Sequence, residues 1–121
     1  MSARFLKIAV FYLVLGIGLG IFMAATHHFE NRPVHTHINL AGWASLAIMA
    51  FAYKVFPALE RSKLASTHFW LHNVGLPVMI IGIFSIFNGQ PQIGDAMAGI
   101  GSTIVALGMF AFAVNVWRHA A

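Results

Sequence analysis

The chain has 121 residues, of which 60% are hydrophobic and only 8% are charged. Soluble domains carry about 25% charged residues, so this chain has too few polar side chains to cover a surface that faces water. The absence of cysteine excludes iron–sulfur clusters, thiolate zinc sites and covalently attached c-type haem. The seven Lys and Arg residues are spread between apolar segments, which is unlike the basic stripe of a nucleic-acid-binding protein.

Four apolar segments approach the length of about 20 residues that a membrane helix needs. We expect spans at about residues 8–27, 35–56, 66–87 and 94–117. Together they account for most of the chain, so residues 1–121 are predicted to form a single transmembrane domain. The fold class is therefore all-α, an integral membrane four-helix bundle with the lipid bilayer as its first partner.

The first segment has cations before it and small residues after it, as a signal peptide does. Its apolar part is longer than the usual 7–15 residues of a signal sequence. Gly16 and Gly20 also have the small-xxx-small spacing that suits helix packing in membranes. We therefore expect this segment to be retained as a span.

The cations predict the orientation of the bundle. Arg4 and Lys7 precede the first span, three cations lie between the second and third, and Arg118 follows the fourth. If both termini are cytoplasmic, six of the seven cations are inside and only Arg32 is outside. We expect this orientation, in a bacterial inner membrane.

Four of the seven histidines bracket the outer ends of the first two spans: His27, His28, His35 and His37. Residues two apart on a helix point about 200° apart. His35 and His37 therefore face opposite sides of the second span and can serve two sites better than they can chelate one ion. The alternative is that they are interfacial histidines bonded to headgroups and water.

Small residues follow each histidine of this pair along its own face of the helix. Asn39 and Gly42 lie below His35, whereas Ala41 and Ala44 lie below His37. Such positions leave room for a flat ring or for a closely packed helix.

A second stripe begins near the inner end of the third span, with His68 and His72 followed by small or apolar residues at helical spacing. His72 lies about two turns into the apolar zone, where a buried imidazole needs a hydrogen-bond partner. Tyr53 and Asn115, at a similar depth, are the predicted partners. The alternative is a packing stripe with two polar anchors, so His68 and His72 are a second group of candidate site residues after the outer four.

Helical rise separates the two histidine groups. His37 is predicted to lie about 6 Å, and His72 about 22 Å, below the outer end of the bundle. They are therefore not expected to share one iron within a chain, so a second axial ligand must come from His27, His28 or another subunit. The four apolar runs, the fourth of which begins at Ala96, contain no Asp or Glu, which argues against a carboxylate-based proton path.

The string His35-Thr36-His37, with Gly42-Trp43, Tyr53 and His68-Phe69-Trp70 after it, resembles part of the catalytic subunit of haem-copper oxidases. The cbb-type oxidases and nitric oxide reductases are the most similar branch. The resemblance covers about residues 34–82. It implies that His35 matches a ligand of the high-spin haem and His37 a ligand of the low-spin haem.

In that family the subunit has twelve helices in three arcs of four, so the resemblance implies a homo-oligomer, such as a homotrimer, with haem between neighbouring chains. The copper-binding histidines with their crosslinked tyrosine have no counterpart here. The chain alone is therefore not expected to be a complete oxygen or nitric oxide reductase.

The leading hypothesis is a b-type haem protein that serves electron transfer with a redox partner, or binding of O₂ or NO, with His35 and His37 as ligands of the haem iron. Two alternatives stay open. One is a haem-free copper or zinc site in the outer histidine cluster, since imidazole suits both metals. The other is a structural or assembly subunit of a respiratory complex.

Overall fold

A computed structural model describes residues 1–121, and it contains helices and no strand. In chain order the elements are α1 (Ser2–Thr26); α2 (Arg32–His37), a π-helix (Ile38–Ala44) and α3 (Ser45–Val55), which run on as one long helix; the short α4 (Pro57–Arg61); α5 (Lys63–Phe87); and α6 (Pro91–His119). Four helices are long and apolar enough to cross a membrane: α1, α2–α3, α5 and α6. The prediction of an all-helical chain with four membrane-length helices is confirmed.

Proline and serine set the points at which the later helices begin. Pro33, Pro57 and Pro91 lie in the first turn of α2, α4 and α6, where the missing N–H of proline costs no intrahelical hydrogen bond. Ser62 caps α5 because its hydroxyl accepts a hydrogen bond from the Leu64 N–H, 3.2 Å away. These caps keep the connections short, so successive long helices lie side by side.

The tightest helix pair is α5 with α6, and glycine makes it possible. A Cβ atom on Gly82 would meet the backbone of Ala98, and one on Gly101 would meet the backbone of Met79. Without side chains at these positions the two backbones approach closely, which is how helices associate in a membrane that supplies no hydrophobic driving force between them.

The α1 helix packs against α2–α3 along one stripe of contacts. His35 faces Gly20, Asn39 faces Gly16, and Gly42 lies against the ring of Tyr12. His35, Asn39 and Gly42 therefore share one face, as predicted. The small residues on this face accommodate a neighbouring helix.

Aromatic rings join all four long helices at the end that carries both termini. Phe5 of α1 stacks on Tyr53 and His68, with centroids 5.3 and 5.0 Å apart. Phe112 of α6 contacts the same two rings, at 5.7 and 5.0 Å. Because Tyr53 and His68 belong to α3 and α5, this cluster closes the bundle at its inner end, the end we predict to be cytoplasmic.

A charged pair lies beside this cluster, where the Glu60 carboxylate pairs with the N-terminal ammonium of Met1. The hydrogen bond from that ammonium holds the pKa of the Glu60 carboxyl below its ordinary value. Close by, the Asn115 side chain donates to the Leu59 carbonyl over 3.0 Å. The α4 loop is thus bonded to both the first and the last helix.

The opposite ends of the helices are tied by polar side chains, since Asn88 donates to the Asn31 side chain over 2.6 Å. Between the two ends, large apolar side chains point outward along every long helix. Trp70 and Trp117 are 61% and 92% exposed, as expected for residues that face lipid or the headgroup region. The exterior is therefore as apolar as a membrane protein requires.

We expect Gly101→Ala to lower the free energy of unfolding by about 1–3 kcal/mol, because the added methyl would overlap the Met79 backbone and force α5 away from α6. Gly99→Ala is the matched control, since a Cβ there meets no atom within 4 Å. Helical signal followed during unfolding by SDS in mixed micelles measures both. Equal losses in the two variants would mean that close approach at Gly101 does not stabilise the pair.

Candidate functional site

His37 is held in one tautomer by the first turn of its own helix. Its Nδ1 lies 2.7 Å from the Pro33 carbonyl oxygen. A carbonyl oxygen can only accept, so Nδ1 carries the proton and Nε2 keeps its lone pair. Histidines that bind metals are usually oriented by such an N–H···O=C bond on the other ring nitrogen. The ring is half-buried, so Nε2 is accessible from outside the chain.

A π-helix begins directly after His37 and spans Ile38–Ala44. At its end the Ser45 N–H bonds to the Leu40 carbonyl, five residues back, and the Ser45 hydroxyl donates to the same oxygen over 2.7 Å. Such turns are rare and concentrate at functional sites. The sequence analysis did not predict this π-helix. A membrane helix that is apolar on most sides has no hydrophobic periodicity that would reveal an extra residue in one turn.

His35 lies on the other face of the helix, against α1. A methyl group on Gly20 would sit 3.0 Å from its Nε2, so the nitrogen nearly touches the α1 backbone. A porphyrin cannot enter between them while the ring keeps this orientation. In the conformation described, His35 packs between helices, and it would have to turn before it could bind an iron.

The other two outer histidines are exposed. His27 ends α1 with a left-handed backbone, φ 55°, a conformation that histidine adopts more readily than most residues. The His28 Nδ1 lies 3.4 Å from the Glu30 carboxylate. Within one chain, no three His, Cys, Asp or Glu side chains lie close enough together to hold one metal ion.

An open cleft of about 550 Å³ lies beside His28 at this end of the bundle, which is within the usual range for ligand sites. Its lining combines three phenyl rings with four polar side chains: Phe22, Phe84, Phe87, His28, Glu30, Asn31 and Asn88. The cleft therefore joins the bilayer surface to the one outer histidine that has a carboxylate neighbour.

The inner histidines are fully buried, each with 0% of its surface exposed. His72 donates from Nε2 to the Ala41 carbonyl, 3.0 Å away, inside the π-helix. The predicted partners of His72 were therefore wrong. Tyr53 bonds instead to His68 Nδ1, over 2.9 Å, because the short α4 loop brings Tyr53 level with the first turns of α5. Asn115 bonds to the Leu59 carbonyl and to His119.

The bond from His72 also corrects the depth expected for it. Ala41 lies four residues after His37, about one helical turn, whereas helical rise from the outer ends predicted an offset of about 16 Å between the two histidines. The prediction assumed that all helices are upright and that their outer ends lie at the same height. The direct contact between α5 and the π-helix shows that this assumption does not hold for these two segments.

Two ring nitrogens of the buried pair have no partner, His68 Nε2 and His72 Nδ1. The two rings lie edge to face, with centroids 5.6 Å apart. Phe5 and Phe112 enclose His68 on two sides. An unpaired polar atom in such surroundings is costly, so its presence calls for a physical reason.

Comparison with protein families, with curated proteins and with solved structures gives no match for this chain.

We expect Tyr53→Phe to lower the free energy of unfolding by about 1–3 kcal/mol, because it removes the partner of a buried imidazole and leaves His68 Nδ1 unpaired. Tyr12→Phe is the matched control, because the Tyr12 ring packs against Gly42 and its hydroxyl bonds to no histidine. Unfolding by SDS in mixed micelles compares the two. A loss for Tyr12→Phe as large as that for Tyr53→Phe would contradict the bond to His68 as the cause.

Proposed function

We propose that this chain is a membrane-embedded b-type haem protein with His37 as an axial ligand of the iron. The observation that carries the proposal is the bond from His37 Nδ1 to the Pro33 carbonyl, which leaves Nε2 unprotonated and fixes the ring on a half-buried surface. The resemblance of residues 34–82 to haem-copper oxidases points to the same residue. When bound, haem would supply one-electron redox chemistry or a site for O₂ or NO.

The residues around His37 fit a haem ligand in their chemistry. The Pro33 carbonyl accepts the N–H of the imidazole, which orients the ring and fixes its tautomer. Ala41 follows on the same face and carries no bulky side chain. Neither of these neighbours is charged, so the environment tolerates a flat apolar ring.

The second axial position decides between the two roles. We propose that His28, which is exposed and lies 3.4 Å from Glu30, fills it, and a histidine of another copy is the alternative. Two histidines would favour electron transfer, and one open position would favour gas binding. A homotrimer in a bacterial inner membrane, with both termini cytoplasmic, is part of this proposal.

The test begins with absorption spectra of the protein purified in mild detergent, oxidised and then reduced with dithionite. We expect a Soret band, with sharp reduced α and β bands if two histidines bind the iron. His37→Ala should lower the ratio of haem to protein by more than about tenfold, since even an outer-shell partner of a metal ligand is worth about 10- to 100-fold in affinity. His119→Ala, near the terminus, is the control and should keep the wild-type ratio.

His35→Gln separates the two members of the pair. If His35 stays against Gly20, His35→Gln keeps its haem bands. If His35→Gln loses the bands and His37→Ala keeps them, His35 is the iron ligand. A protein with copper or zinc and no Soret band would favour the outer histidines as a haem-free site. A colourless, metal-free protein that co-purifies with a respiratory complex would favour an assembly subunit.

A further inference from the structure

The unpaired nitrogens of His68 and His72 belong to a row of polar groups that leads from the inner end of the bundle to the π-helix. In order, the row consists of the Tyr53 hydroxyl, the His68 ring, the His72 ring and the Ala41 carbonyl. Its two ends are hydrogen bonds of 2.9 and 3.0 Å. The interruption lies between the two imidazoles, whose rings meet edge to face and each of which has one nitrogen without a partner.

The positions of the protons in this row follow from its ends. His72 Nε2 faces a carbonyl and must donate, so His72 Nδ1 holds a lone pair. If His68 donated to Tyr53, both unpaired nitrogens would carry lone pairs and no donor would serve either. If Tyr53 donates to His68 Nδ1 instead, His68 Nε2 carries a proton next to the lone pair of His72. Only this second arrangement supplies a donor for the lone pair of His72.

All donors in the row then point the same way, from the inner end toward the π-helix. The groups packed against it are the rings of Phe5 from α1 and Phe112 from α6, and no carboxylate contacts either imidazole. At the inner end of the bundle, His119 Nδ1 lies 2.9 Å from the Asn115 side chain. An excess proton in the row therefore meets no fixed negative charge that would trap it.

We propose that Tyr53, His68 and His72 form a proton relay that brings one proton from the inner surface to the level of the π-helix when the haem is reduced. This inference rests on the proposed haem at His37, one turn from Ala41. The Tyr53 O–H proton moves to His68 Nδ1 while the Nε2 proton of His68 moves to His72 Nδ1. Tyr53 then regains a proton from the inner aqueous side. The sum is one proton gained by His72, which balances the charge of the one electron that the iron receives.

Redox titration of the haem at a series of pH values tests the coupling in the intact protein. In the wild type the midpoint potential falls as pH rises, because reduction takes up a proton. His72→Gln keeps an N–H for the Ala41 carbonyl but cannot take a proton, so its pH slope should drop to less than half of the wild-type slope. Tyr12→Phe, whose hydroxyl lies outside the row, should retain the slope. Equal slopes in wild type and His72→Gln would overturn the relay.

The tautomers test the relay without haem and without a variant. In the wild-type protein labelled with ¹⁵N-histidine, NMR should find both His68 and His72 with the proton on Nε2. A proton on His68 Nδ1 would overturn the proposal, because the row would then have no direction. If the tautomers are as expected but no haem bands appear, the proposed function and the coupling of proton uptake to haem reduction are both refuted. The common direction of the donors in the row would still be supported. Size-exclusion profile and helical signal establish that His72→Gln is folded.

Discussion

The bond between His72 and the Ala41 carbonyl links the two halves of the molecule. One half is the α1 and α2–α3 pair, and the other is the α5–α6 pair. Away from the inner aromatic cluster these halves share few polar contacts, so this bond sets the height at which α5 stands beside the π-helix. A buried N–H that lacked this acceptor would cost more than a typical hydrogen bond contributes. The same contact fixes the position of His68 along the bundle axis, and with it the position of Tyr53, which is bonded to His68.

Two kinds of interaction position the helices of this bundle relative to each other. Helix approach is set by missing side chains, at Gly82 and Gly101 between α5 and α6 and at Gly16 and Gly20 beside α2–α3. Helix height is set by a few polar atoms that cannot be left unpaired in apolar surroundings. Because apolar surfaces slide with little cost, only the second kind specifies which histidine meets which partner.

The hydrophobic segments were sufficient to predict four membrane-length helices, because length and apolarity are what a bilayer requires of a span. The shared face of His35, Asn39 and Gly42 also followed from helical spacing. The partner of His72 did not, because a backbone carbonyl has no signature in the sequence and a depth count cannot register how helices shift along each other. For the same reason the inward orientation of His35 against Gly20 required coordinates.

The π-helix sets the direction in which the side chains of α2 point relative to α3. Relative to an α-helix it accommodates one residue more in the same turn, as if a single residue had been inserted between His37 and Ser45. If this segment relaxed to α geometry with all its residues kept, α2 would rotate by about 100° relative to α3. The His35 side chain would move away from Gly20 and the His37 side chain would point in a new direction, even if the rest of the bundle stayed in place. The π geometry of residues 38–44 thus determines where both imidazoles point.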